Sequence, residues 1–162
     1  MAALAAEREC WREVGVARAP LDALLSESQL RRARVVKIDV EGGEMAVLRG
    51  MQRLLAGGGD GGGCARRDLE IVVEISPRWL KLQSSSAAAL LRFMRDRGFH
   101  AYALTEDYEV ARCHDQAPGG GVDPVDASRS RPRRVREGDE ARLDAEGTQA
   151  DVIFSRTDAE WL

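Results

Sequence analysis

The sequence has few cysteines, only two histidines, no long apolar run and no large excess of either charge. Its three cysteines, Cys10, Cys64 and Cys113, are odd in number and far apart. That excludes a disulfide framework and any thiol-based metal spacing, and it is read as reduced thiols in a non-oxidising compartment. His100 and His114 belong to no recognisable triad or metal motif. No apolar stretch approaches the ~20 residues needed to span a bilayer. The opening MAALAAEREC lacks the basic and apolar regions of a secretory signal, so a cytoplasmic chain without a membrane span is expected. A net charge of −3 removes the general electrostatic case for nucleic-acid binding.

What remains is a chain of 162 residues, 44% hydrophobic and 31% charged, long enough for one globular domain with a real core. Its organising stretch is VVKIDVEGGEMAVLRGMQRLL, residues 35–55. Val35, Val36, Ile38 and Val40 suit a strand covered on both faces. Gly42 and Gly43 permit a sharp turn. Glu44 falls where a helix's first turn begins, and Met45, Leu48, Met51 and Leu55 follow at helical spacing. This strand–turn–helix unit is half of a βαβ crossover, which places Asp39, Glu41 and Glu44 at the carboxyl end of a strand, where open α/β sheets bind ligands.

Around it, residues 1–13 read as a helical N-terminal extension and 14–19 as a brief strand stopped by Pro20. PLDALLSESQL reads as one helix. The glycine cluster 57–63 follows a helix and leads into a strand, the wrong order for a phosphate loop, and is read as a flexible linker. LEIVVEI, 69–75, is a second buried strand ending near Glu74. Pro77 ends it, with Trp79 in the loop beyond. A helix follows, with N-cap choices at Ser84, Ser85 and Ser86, an apolar side on Leu90, Leu91, Phe93 and Met94, and Gly98 after its end. Strands at 99–105 and 150–155, with a return strand at 108–112, complete the set. Residues 114–149, which include the arginines from Arg129 to Arg136, read as a disordered insertion. The order β, α, β, α, β argues for a mostly parallel sheet with flanking helices.

Asp39 and Glu41 could bind a cation, accept a proton or hydrogen-bond a ribose or amine; the alternative is turn and helix-start chemistry, which is favoured for Glu44. Glu74 is a weaker candidate of the same kind. Lys37 is unusual inside an apolar strand and either snorkels, pairs with an acid or acts in catalysis. Trp79 either lines a substrate mouth or covers a strand end.

The residues Leu21–Asp22, the KIDVEGxE string formed by Lys37, Ile38, Asp39, Val40, Glu41, Gly42 and Glu44, then Leu48, Gly50 and Glu74, resemble the carboxy-terminal half of FkbM-type methyltransferases. The resemblance runs over 14–112 and resumes at 152–154. It implies a Rossmann-like fold, S-adenosylmethionine as cofactor, and methylation of a hydroxyl on a small molecule or sugar. Asp39 and Glu41 would then be catalytic, with Lys37, Glu44, Glu74 and Trp79 on the substrate side. The family's first strands and glycine-rich cofactor loop have no counterpart here, so no cofactor-binding residues are assigned. Residues 14–162 are expected to form a partial, truncated domain whose exposed sheet edge is covered by self-association or a partner chain. The alternative to a methyltransferase is a non-catalytic interaction module.

Overall fold

In the computed structural model, the described residues are 14–56, 66–104, 132–145 and 148–159. The helix expected in 1–13, the glycine linker, the return strand at 108–112 and much of the 114–149 insertion lie outside them. Residues 14–20 form no strand, which corrects the expectation there. Val14 and Val16 are exposed and find no apolar face to bury against.

The helix expected after Pro20 is two helices, α1 (Leu21–Leu24) and α2 (Glu27–Arg32). Leu25 is extended, and Ser26 starts α2 with a capping box: its hydroxyl accepts the Gln29 N–H while the Gln29 side chain accepts the Ser26 N–H at 2.8 Å. β1 (Val35–Ile38) follows, then α3 (Glu44–Arg49) and α4 (Gln52–Leu55). The single long helix expected at 44–55 breaks at Met51, whose φ of −126° and ψ of 41° are not helical. Asp22 bridges that break. Its backbone N–H donates to the Gly50 carbonyl at 3.1 Å, and its carboxylate accepts the Arg53 N–H at 3.0 Å, capping α4 from a distant element.

β2 (Glu70–Ile75) leads directly into α5 (Pro77–Leu82). The loop expected around Trp79 is therefore a helix. Proline is well tolerated in a first helical turn, where no intrahelical donor is required. α6 (Ala87–Arg95) is capped by Ser86, whose hydroxyl accepts the Ala89 N–H at 3.1 Å. It ends in a Schellman arrangement: Phe99 N–H donates to the Met94 carbonyl, Gly98 N–H to that of Arg95, and Gly98 has φ +77°. β3 (His100–Ala103) is next.

Part of the segment expected to be disordered is ordered. β4 (Arg133–Val135) and α7 (Glu140–Leu143) lie inside 114–149. Local composition concealed them because long-range bonds hold them. Asp144 accepts the N–H groups of Ala87 and Ala88 at 2.7 and 3.2 Å, Arg95 pairs with Glu140, and Val135 and Leu143 reach the core. β5 (Ala150–Ser155) closes the set.

The strand order is β1-β2-β5-β3-β4. The expected mostly parallel sheet is corrected: β1 and β2 pair parallel, and the other three pairings are antiparallel. β1, β2 and β3 share a direction, but the late strand β5 enters the sheet from the opposite end and separates β2 from β3. The helices bury one face of this mixed α/β sheet. Val36 and Ile38, Ile71, Val73 and Ile75, Val152 and Phe154, and Ala101 point into a core shared with Leu30, Leu48, Leu80, Leu90 and Met94. Among the described residues, the other face carries Lys37, Val72, Glu74, Asp151, Ile153, His100 and Arg134 and has no helix layer. Asp158 lies against it, bonded to the Tyr102 hydroxyl and to Arg134. No described helix is long and apolar enough to cross a membrane.

Candidate active site at the end of β1

Beyond Ile38 the chain turns sharply. Glu41 and Gly42 both have positive φ, +51° and +98°, and the Gly43 N–H closes the turn onto the Val40 carbonyl at 3.2 Å. A glutamate in this left-handed region stores about 1–2 kcal/mol of strain. The strain is held by two contacts. Gly42 packs so tightly on α5 that an added Cβ would lie 2.5 Å from the Trp79 carbonyl oxygen. The Gly42 N–H donates to Glu44 Oε1 at 2.9 Å. Glu44 is 2% exposed and holds the turn from beneath, while its Oε2 is buried without a hydrogen-bond partner among the described residues. Of the roles expected for it this is the turn chemistry; the N-terminus of α3 carries no side-chain cap.

The turn delivers Asp39 and Glu41 to the end of β2. Lys37 and Ile38 are in register with Val72 and Val73, which brings Asp39 beside Glu74. Carboxylate oxygens of Asp39, Glu41 and Glu74 lie within 4.8 Å of one another. Lys37 Nζ is 3.2 Å from Asp39 Oδ2. The Asp39 carboxylate, by hydrogen bond and charge, raises the Lys37 pKa above its ordinary value, with Asp151 and Glu74 adding to the effect. Such a set can hold a cationic group, take a proton from a hydroxyl, or ligate a divalent ion.

The structure therefore brings Lys37, Asp39, Glu41 and Glu74 together. Trp79 is 38% exposed on the helix that supports the turn, with the Arg78 guanidinium over its ring. Two participants escaped sequence reasoning. Gln149 donates to Glu74 Oε1, and Asp151 stands opposite Glu74 across the β2–β5 pair, with one buried oxygen lacking a hydrogen-bond partner. Only the acidic start of the last strand hinted at Asp151; its partner follows from a strand insertion that local patterning does not encode. A cavity of about 690 Å³ lies across Val40 from the acids, lined by Pro20, Val40, Gly43, Ala46, Val47 and Gly50. None of the four clustered residues lines it.

The model of the methyltransferase FkbM domain matches residues 12–101 of the chain. The chain belongs to this family. The match takes in β1, the acidic turn, Glu74 and Trp79, and stops short of β4 and β5. Searches of the curated proteins and of the solved structures returned no significant match.

Proposed function

We propose that this FkbM-domain chain serves an S-adenosylmethionine-dependent methyltransfer to a hydroxyl oxygen of a small molecule or sugar. The single observation that carries this reading is the convergence of Asp39, Glu41 and Glu74 within 4.8 Å at the carboxyl end of two neighbouring strands. Three carboxylates against one lysine leave a net negative site, which fits a cofactor bearing a sulfonium and an ammonium group. When bound, S-adenosylmethionine supplies an electrophilic methyl group on a positively charged sulfur.

The chain's own residues have three tasks. Asp39, at the exposed end of β1, would accept the proton of the acceptor hydroxyl when that oxygen takes the methyl group. Glu41, projected by a strained turn, and Glu74, oriented by Gln149, would hold the positively charged part of the cofactor, since transfer requires donor and acceptor to be held close together. Lys37 fixes the rotamer of Asp39. Trp79 offers a ring at the rim for the acceptor.

Calorimetry of the chain with S-adenosylmethionine tests the reading. Saturable heat in the wild type that is lost in Asp39→Asn supports it; no heat in the wild type overturns it. Parallel titration with magnesium separates it from an acidic site that takes a divalent ion. The open β1 edge favours a second reading, a non-catalytic interaction module, which requires silence in both titrations.

A further inference from the structure

We propose that Arg78 and Trp79 form an acceptor subsite beside the acid cluster, and that the acceptor they select is a sugar ring carrying a carboxylate or a phosphate. This deepens the methyltransfer reading and rests on it. Both residues stand in the first turn of α5, which leaves directly from the end of β2. Glu74 lies four residues before Arg78. β2 is an interior strand, flanked by β1 and β5, so the start of α5 is placed from both sides.

Trp79 is tied to the turn that carries Glu41. A Cβ built on Gly42 would lie 3.1 Å from the Trp79 Cβ, as well as against its carbonyl oxygen. The indole is therefore rooted on the residue next to Glu41. It still keeps 38% of its surface exposed, although so large an apolar ring usually buries most of its area. What stays open is a flat π face close to three carboxylates. The negative face of an aromatic ring suits the C–H side of a sugar ring, whose hydrogens are weakly positive.

Arg78 supplies the charge. Its guanidinium lies 5.3 Å from the centroid of the Trp79 ring. That contact holds the cation without neutralising it, and among the described residues no carboxylate pairs with Arg78. Lys37 differs: at the same end of the sheet it is bound to Asp39. Three carboxylates repel an anionic ligand, so a cation kept off them and held on the neighbouring aromatic is the group that admits one. A guanidinium matches a carboxylate or a phosphate through two parallel N–H bonds. An anionic sugar lays its ring on the indole, sets its charge on Arg78 and turns a hydroxyl toward Asp39. A neutral sugar lacks the second of these contacts.

Heteronuclear NMR of the full chain, following the Trp79 indole N–H, is the test; Trp79→Phe assigns that resonance by its loss. Glucuronate and glucose-6-phosphate are titrated separately, with glucose as the neutral ring and acetate and inorganic phosphate as anions without one. At least one anionic sugar is expected to shift the resonance at concentrations about tenfold below those glucose needs, and the two arms tell a carboxylate from a phosphate. Arg78→Gln should erase that advantage and leave the response to glucose unchanged, while Arg78→Lys should keep part of it. Arg78 is exposed, so neither change disturbs the core. Anionic sugars no better than glucose, an advantage that survives Arg78→Gln, or a ringless anion that matches its sugar would each overturn the proposal. Calorimetry with S-adenosylmethionine tells this failure from that of the methyltransfer reading. Heat from the cofactor without any anionic preference sinks the subsite alone. An anionic preference without heat from the cofactor sinks methyl transfer and, with it, the acceptor role.

Discussion

Gly42 and Trp79 meet backbone to backbone: a Cβ at Gly42 would stand 2.5 Å from the Trp79 carbonyl oxygen. The contact clamps the β1–α3 turn onto α5. It explains why Glu41 can stay in the left-handed region and why Asp39, Glu41 and Glu74 share one small volume.

Gly42→Ala should therefore be costly for two reasons, a side chain at φ +98° and a collision with immobile backbone. The combined destabilisation is expected at about 2–4 kcal/mol in urea unfolding. Gly98→Ala is the matched comparison. Its φ is +77° but nothing lies within 4 Å of the added methyl, so only the conformational cost of about 1 kcal/mol should appear. Equal losses at the two sites would mean that the Trp79 contact contributes nothing.

Glu44 is the second support of the turn. Glu44→Ala removes the acceptor of the Gly42 N–H in a buried setting, which should destabilise by about 1–3 kcal/mol. Glu44→Gln keeps an acceptor oxygen and should lose less than about 1 kcal/mol. Chemical denaturation of both variants checks the order. A Gln variant as damaged as the Ala variant would point to the carboxylate charge instead of the hydrogen bond.

The local units were legible because their signals are local. The β-branched run of β1, the glycines after Glu41, the serine before α6 and Gly98 after it each act through neighbours in sequence, and each appears near its expected place, but the expected cover on both faces of β1 fails: the strand stops at Ile38 at the end of the sheet, with Val35 62% and Val40 45% exposed. Helix length was less legible: Ser26 interrupts a favourable apolar pattern by capping, and Asp22 stabilises the break at Met51 from far along the chain. The sheet's directions were hidden for the same reason. β5 has the apolar alternation of any strand, and nothing within ADVIFS says that it enters between β2 and β3 from the opposite end. The site followed suit. Asp39 and Glu41 could be read from one turn, whereas Gln149 and Asp151 join Glu74 only through that insertion.

Lys37 reports on the acid cluster through its own titration. Asp39 raises its pKa above the ordinary 10.5. A lysine whose folded value exceeds its unfolded one contributes stability that is complete below the unfolded value and is lost as pH rises through the folded value. Both side chains are exposed, so the effect on unfolding should be small and confined to the alkaline limb. NMR titration of the lysine side chain is the sharper measurement. Asp39→Asn should bring the Lys37 value down toward 10.5, and an unchanged value would mean that the ion pair does not persist in solution.

The ordered piece of the 114–149 segment should loosen first in acid. Arg95 lies against Glu140 and holds its pKa below the usual carboxylate range; backbone N–H donation, including that of Gly138 at 2.6 Å, acts in the same direction. For a carboxylate depressed in the folded state, the stabilisation is present above the unfolded value and disappears as pH falls through the folded one. Acidification below the ordinary glutamate range should therefore weaken the attachment of α7 to α6, where Asp144 also holds the N–H groups of Ala87 and Ala88. Hydrogen exchange at Ala87 and Ala88 would rise across that interval in the wild type. In Glu140→Gln the pair is absent at every pH, so those amides should exchange faster at neutrality and show a flatter acid response. A wild-type profile that tracks the Gln variant would show that the Arg95–Glu140 pair does not anchor the segment.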